Sequence, residues 1–380
     1  VKSDKHLPAL DGIRGLAILI VVAYHTGGGA QSSNLLIKSI GLLLKAGWSG
    51  VSLFFVLSGF LISGILWDTH GTAGWLKNFY VRRALRIFPL YYGSLLLVVL
   101  TAFVAHQGLF CLSHLWVFAI YLQNFPALAR FTSSYGSPLL LGHFWSLAVE
   151  EQFYLLWPFL LSRMKTRNSA KYLCVATVVA SLCFRLLLWS RHDLSPVSQG
   201  FLLTHAGELA AGAFLALCFR DGSWRRLDRV APAIAIVSLA GFAAAGWLGR
   251  GFEFQGAWIV VFGLTCLTLF WASVLVLSLR TDGLWSRAMN AGWLRGVGTI
   301  SYGIYIFHVL LNPVFWWITR VILPHANRIQ GLALNGVVTV VGSFSVAWLS
   351  FRFYESSFLR LRKRFSGKRR EETLTAERVG

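Results

Sequence analysis

The groups in this sequence able to do chemistry are few, and most stand inside long apolar runs. Arg14 and His25 bracket one such run at a separation of eleven residues. On a helix turning about 100° per residue that is three turns, so both side chains share one face, about 16 Å apart along the axis. The plainer readings are an end residue reaching for headgroups and an interfacial histidine with its partners met. A second set is His143-Phe-Trp-Ser-Leu-Ala-Val-Glu150-Glu151-Gln-Phe-Tyr154. Here His143, Glu150 and Tyr154 fall on or near one helical stripe, whereas Glu151 is turned about 100° from its neighbour. The two carboxylates are therefore not expected to face one site; one serves chemistry while the other holds an arginine or a helix contact.

A third set is Phe79-Tyr-Val-Arg82-Arg83-Ala-Leu-Arg86-Ile-Phe-Pro89. Arg82 and Arg86, or Arg83 and Arg86, share a helix face at spacings of four and three. Guanidinium forks grip phosphates bidentately, which would suit a phosphate-rich cytosolic donor such as coenzyme A. The plainer reading is a cluster of topology-setting charges. His308, in Ser301-Tyr-Gly-Ile-Tyr-Ile-Phe-His308, and the pair His205 and Glu208 complete the inventory. The last two, three residues apart, neutralise one another in the plainer reading.

The elements that must position these groups follow from composition. The chain of 380 residues is 56% hydrophobic and only 13% charged, with a mean hydropathy of +0.61. A soluble domain carries about 25% charged residues, so this one would leave its surface uncovered. Apolar stretches of about 20 residues recur, long enough to cross roughly 30 Å of hydrocarbon. In lipid every backbone polar group needs an internal partner, so the stretches must be helices. The expected fold is an all-α membrane bundle of about ten spans: 8–27, 48–67, 87–106, 143–162, 172–190, 201–219, 230–248, 257–279, 298–322 and 331–354. An ionisable group inside such a span costs about 2.5–3.5 kcal/mol on insertion scales, and usually faces a cavity or a partner.

A net charge of +20 would suggest nucleic acid in a soluble protein. Here the positives lie between apolar spans, so no nucleic-acid partner is expected. With ten spans and the N-terminus inside, about 25 of the 35 lysines and arginines fall on the cytoplasmic side, as the positive-inside rule requires. Counting 110–125 as a full crossing would put Arg163 to Arg167 and the basic tail on a different side from Lys2 and Lys5. That stretch is therefore expected to be re-entrant or interfacial. The first run has no convincing cleavage site and is taken as the first span. One transmembrane domain is expected over 1–355, followed by a basic, partly disordered cytoplasmic tail over 356–380, attracted to anionic lipid. The five cysteines are scattered without metal or redox spacing, and are expected to pack between helices; no metal is expected.

Several ordered blocks resemble the acyltransferase family 3 transmembrane enzymes: Leu10-Asp-Gly-Ile-Arg14-Gly, then Tyr24-His25, then Gly50-Val-Ser-Leu-Phe54-Phe55-Val-Leu-Ser58-Gly59-Phe60. They continue with Arg82-Arg83-Ala-Leu-Arg86-Ile-Phe-Pro89 and Phe144-Trp145-Ser146-Leu-Ala-Val-Glu150-Glu151-Gln-Phe-Tyr154, and end on the weaker Ser301-Tyr302 with His308. The resemblance implies a ten-helix bundle in a bacterial plasma membrane, and the charge distribution places both termini on the cytoplasmic side. It implies transfer of an acyl group, commonly acetyl, from acyl-CoA (acetyl-CoA) to a hydroxyl of a glycan or glycosylated small molecule. Arg14 and His25 match the family's Arg-x10-His motif, with the histidine catalytic, and Arg83 and Arg86 its Arg-x-x-Arg motif. Two positions depart from the pattern: Ser52 stands where aspartate is frequent, and His205 where arginine is frequent.

A hydroxyl attacks a thioester well only if a base takes its proton, and histidine suits that work near neutral pH. His25 is the expected base, oriented by a carboxylate for which Glu150 is the first candidate. Arg14 either stabilises the reacting group or anchors the donor along its path. Glu151, Tyr154, Ser58 and His308 are further candidates, and Arg82, Arg83 and Arg86 the expected donor-binding set. The alternative from another class is a multi-pass transporter of a small molecule, although no pair of broken helices in matching halves is apparent.

Overall fold

The computed structural model describes residues 7–27, 41, 44–104, 106, 108–125, 128, 141–194, 200–254, 256–362 and 365. Its helices are α1 (Pro8–Gly27), α2 (Ser49–Thr69), α3 (Trp75–Val104), α4 (Gly108–Ala119), α5 (Trp145–Ser162), α6 (Arg167–Ser190) and α7 (Leu202–Asp221). They continue with α8 (Trp224–Leu248), α9 (Leu264–Ser278), α10 (Leu284–Met289), α11 (Gly292–Thr299), α12 (Ser301–Leu310), α13 (Asn312–Ile322), α14 (Arg328–Ser350) and α15 (Ser356–Arg362). No strand occurs among the described residues.

Polarity is inverted relative to a water-soluble fold. Ile236 and Val237 are each 70% exposed, whereas His205 and Glu208 are buried. Apolar side chains outward and polar groups inward is the arrangement a hydrocarbon solvent selects. Among the described residues eight helices are long and apolar enough to cross a membrane, or nine if a bent pair, α12 with α13, is taken as one span. Helix α5 coincides with the expected span 143–162 and, at 18 residues, is about 27 Å long. It carries the Glu150-Glu151-Gln152 run and is not among the eight.

At the centre, α2 and α7 touch backbone to backbone. A Cβ added at Gly59 would stand 1.8 Å from the Leu209 carbonyl oxygen, and one at Gly212 would stand 1.8 Å from that of Val56. Close approach through small residues is how membrane helices gain packing without a hydrophobic driving force. This contact fixes the helix that carries Ser58. Where one turn is wound as a π-helix, at Ile259–Gly263 leading into α9, the buried Arg185 donates to the Val260 carbonyl (3.1 Å) and to Thr265 Oγ1 (3.0 Å).

Three expectations are revised. The third span is a longer rod than 87–106: α3 begins at Trp75, so Arg82, Arg83 and Arg86 ride on the spanning helix itself. The ninth span, expected as one helix over 298–322, is broken and turns by 66° between Leu310 and Asn312. Pro313, near the start of α13, lacks an N–H and cannot continue the hydrogen-bond ladder of α12. At the other end, helix runs on past Glu355 to Arg362 through a π-helical turn, Phe351–Glu355. Most of the tail expected over 356–380, together with Lys2 and Lys5, lies outside the described residues.

Helix α4, at 12 residues about 18 Å long, is too short to cross. It folds back on α3, where Tyr91 and Tyr92 donate to the Phe118 and Ala119 carbonyls (2.8 and 2.9 Å). The segment after it is buried on α5, since Gln152 Nε2 donates to Tyr121 O (2.8 Å) and Asn124 Oδ1 (2.7 Å). Cys174 and Cys218 are buried, and among the described residues no cysteine is disulfide-bonded.

Candidate active site

The polar residues of five helices converge on one cavity of about 830 Å³, part of it open to the surroundings. Arg14 enters from α1, Ser58 from α2, Arg83 and Arg86 from α3, Glu150 and Glu151 from α5, and Tyr302 and Tyr305 from α12. Three guanidiniums on one wall make a cationic, multidentate surface of the kind that holds phosphate oxygens. Arg14 is tied to its own helix by an ion pair with Asp11 (3.0 Å), which aims the guanidinium. Arg82 faces away: its Nη1 donates to the Phe365 carbonyl (3.0 Å) and it does not line the cavity. Of the three arginines in the block, the spacing-of-three pair is the one turned inward.

Glu150 and Glu151 both line this cavity, which corrects the expectation that adjacent carboxylates on a helix face different places. The turn between neighbours is real, but the cavity is wider than the angle between them and wraps the edge of α5. Glu150 is the better partnered. Tyr154 donates its hydroxyl to Glu150 Oε2 (3.0 Å), and the Ser58 hydroxyl makes a short hydrogen bond to the same Tyr154 oxygen. Arg83 lies over the Tyr154 ring, 3.8 Å from its centroid. Glu151 Oε1 is buried with no hydrogen-bond partner.

His25 does not meet Glu150. Seven residues, about 10 Å of helix rise, separate Glu150 from His143, the α5-side residue closest to the His25 cluster. The group at the His25 ring is His308 of α12. Its Nε2 lies 3.3 Å from His25 Nδ1, with ring centroids 4.8 Å apart. His143 closes the cluster, its ring centroid 5.4 Å from that of His308. The side chain found beside His25 is thus a histidine, where a carboxylate was expected. His25 itself stands exposed on the last turn of α1.

Tyr302 and Tyr305, with Ser146 and Ser301, line the cavity without having been expected there. Tyr302 donates to the Ile87 carbonyl (3.1 Å), and Tyr305 to that of His143 (2.7 Å) while also bonding Ser146 Oγ (2.5 Å). The signal was present, because Ser301, Tyr305 and His308 recur at helical spacing in one block and share a face. His205 and Glu208 lie elsewhere, bonded to each other at 2.5 Å and almost fully buried. Among the described residues no group of three or more histidine, cysteine and acidic side chains is placed to hold a metal ion.

A bundle of membrane-length helices around a guanidinium-lined cavity defines a multi-pass membrane protein with a buried polar site. The chain belongs to acyltransferase family 3: the family model, described as an acyltransferase domain, matches residues 7–352. Among curated relatives, the peptidoglycan O-acetyltransferase OatA of Listeria monocytogenes is 30% identical over 93% of this chain and 56% of its own. The putative peptidoglycan O-acetyltransferase YrhL of Bacillus subtilis is 28% identical over 83% of this chain and 51% of its own. The O-acetyltransferase OatA of Staphylococcus aureus is 27% identical over 93% and 57%. The chain therefore spans about half the length of the relatives it matches. No solved structure matches it.

Proposed function

We propose that this chain moves an acetyl group from acetyl-CoA, held from the cytoplasmic side, to a hydroxyl of a glycan on the outer side of a bacterial plasma membrane. The observation that carries the reading is the placement of two chemistries at opposite ends of α1. Arg14 joins Arg83 and Arg86 around one cavity, while His25 stands eleven residues further along the same helix, about 16 Å away. The arginines suit the phosphates of the donor, and the histidine suits deprotonation of an acceptor. The names of the relatives favour peptidoglycan as the glycan, with other glycans and glycosylated small molecules as further acceptors.

In the proposed step the acceptor O–H gives its proton to a ring nitrogen of His25 as its oxygen attacks the thioester carbon. The tetrahedral centre collapses with loss of the C–S bond. Acetyl ends on the acceptor oxygen, and the thiolate leaves carrying the electron pair. Thiolate departure needs little help, because a thiol has a pKa near about 8.5. Arg14, Arg83 and Arg86 hold the donor so that its thioester reaches up past Tyr305 and Ser146 towards the histidines. Such positioning can be worth several kcal/mol of barrier.

The test is acetyl transfer from labelled acetyl-CoA in inverted vesicles that seal peptidoglycan fragments inside. Transfer by wild type that collapses in His25→Ala, with equal protein inserted, supports the reading. Vesicles that never label the sealed acceptor sink it. Transport is the second reading, and the break between α12 and α13 is what favours it, since broken helices mark many transporter sites. Turnover of acetyl-CoA by the purified protein separates the two.

A further inference from the structure

We infer that His308 is a positioning residue that fixes the tautomer and ring plane of His25, so that the two histidines act as a dyad in which a neutral imidazole does the work usually given to a carboxylate. The inference rests on the acyl-transfer reading for its catalytic meaning, but its geometry stands without it.

The protons can be placed by following acceptors. His308 Nδ1 lies 2.8 Å from the Tyr305 carbonyl and 3.1 Å from that of Ile304. Carbonyl oxygens only accept, so Nδ1 carries the hydrogen and Nε2 of the neutral ring keeps a lone pair. That lone pair is directed at His25 Nδ1, 3.3 Å away. His25 Nδ1 also lies 3.0 Å from the Val21 carbonyl, another pure acceptor. Both neighbours of His25 Nδ1 therefore accept, and the hydrogen must sit there, shared between them. The remaining nitrogen of His25, Nε2, is left with its lone pair on an exposed edge of the bundle. That is the form a general base needs, and the other ring nitrogen sets it through the hydrogen bond it makes.

The neighbours hold this arrangement. The two imidazole planes cross at 78°, an edge-on arrangement that brings the two nitrogens to 3.3 Å. His308 is 1% exposed and on the last turn before the chain bends by 66°, so its own position is set by buried packing and by carbonyls. Tyr24 meets the His25 ring edge-on at 4.8 Å, and the His143 ring stands behind His308. As His25 takes a proton, its Nδ1–H becomes a charged donor, and His308 Nε2 accepts a stronger bond at no cost in reorganisation.

The experiment uses the full chain in lipid vesicles, labelled with ¹⁵N-histidine, and reads each ring by solid-state NMR. His25 is assigned by difference from His25→Gln. Wild type is expected to show His25 and His308 with hydrogen on Nδ1 and a bare Nε2. His308→Leu removes the acceptor and is expected to shift the His25 Nδ1 signal. His308→Gln, whose amide oxygen reaches where Nε2 stood, is expected to restore it. In acetyl transfer from acetyl-CoA to peptidoglycan fragments, His308→Leu should lower kcat about 10–100-fold, the loss seen when an outer partner of a functional histidine is removed, with KM unchanged for either substrate. His308→Gln should recover most of it. A wild-type His25 protonated on Nε2, or a His25 signal indifferent to His308→Leu, would falsify the dyad. Spectra that show the dyad in a protein that never turns over acetyl-CoA support the geometry and overturn the acyl-transfer reading instead.

Discussion

Arg83 lies over the ring of Tyr154, its guanidinium carbon 3.8 Å from the ring centroid, while the hydroxyl of that tyrosine donates to Glu150. One side chain thus ties an arginine of α3 to a carboxylate of α5 across the wall of the cavity. The contact explains why a cation and a carboxylate stand together there without meeting head to head. The aromatic face holds the cation, the hydroxyl holds the anion, and guanidinium N–H groups remain for a ligand.

Tyr154→Phe keeps the face for Arg83 and removes the donor to Glu150 and the acceptor for Ser58. Kinetics with acetyl-CoA should show a KM within about threefold of wild type and a thermal midpoint lowered by the equivalent of about 1 kcal/mol, one hydrogen bond lost. Tyr154→Leu removes both contacts and should raise KM for acetyl-CoA about tenfold. Equal KM values for the two variants would show that the ring does not hold Arg83 for the donor.

The three arginines of the third block should separate cleanly. Arg83→Ala and Arg86→Ala each remove a charged donor from the cavity and should raise KM for acetyl-CoA about tenfold or more, since a hydrogen bond to a charged group contributes about 1.5–3 kcal/mol. Arg82→Ala, whose guanidinium is turned to the Phe365 carbonyl, should leave KM within about twofold. Direct titration of the detergent-solubilised protein with coenzyme A checks all three.

Gly59→Ala places a methyl where the Leu209 carbonyl already stands, and neither helix backbone can yield without shifting its neighbours. Overpacking of this sort costs about 1–3 kcal/mol. A drop in the unfolding midpoint in detergent, with a parallel loss of activity as α2 and Ser58 move, is the expected result. Gly296 of α11, where an added Cβ meets nothing within 4 Å, gives the control: Gly296→Ala should leave the midpoint unchanged or slightly raised, by at most about 1 kcal/mol.

Arg185→Met keeps most of the side-chain volume but takes the donor away from the Val260 carbonyl in the π-helical turn. A hydrogen bond to a charged group contributes about 1.5–3 kcal/mol. The midpoint should fall accordingly, while KM for acetyl-CoA stays unchanged, because this arginine lies outside the cavity. A raised KM with an unchanged midpoint would move Arg185 from structure to ligand binding.

The sequence by itself determined the solvent, and through it the secondary structure. Runs of about 20 apolar residues with hardly any charge admit only helices in hydrocarbon. It also determined which residues share a face. Arg14 and His25 on α1, and Arg83 and Arg86 on α3, are set by periodicity alone, and the structure turns the second pair into the cavity. What periodicity leaves open is how one helix is rotated and raised against another, and how wide the gap between them is. Hence Glu150 and Glu151 both reach a cavity that one helix face would not have offered to both, and Arg82 turns to Phe365. Hence also His25 meets His308 and not a carboxylate: they lie far apart in the chain, and only the bend after α12 and the packing of that helix on α1 put 3.3 Å between their nitrogens. Local sequence sets the direction of a side chain about its own axis, whereas distances between side chains belong to the tertiary contacts of close-packed helices.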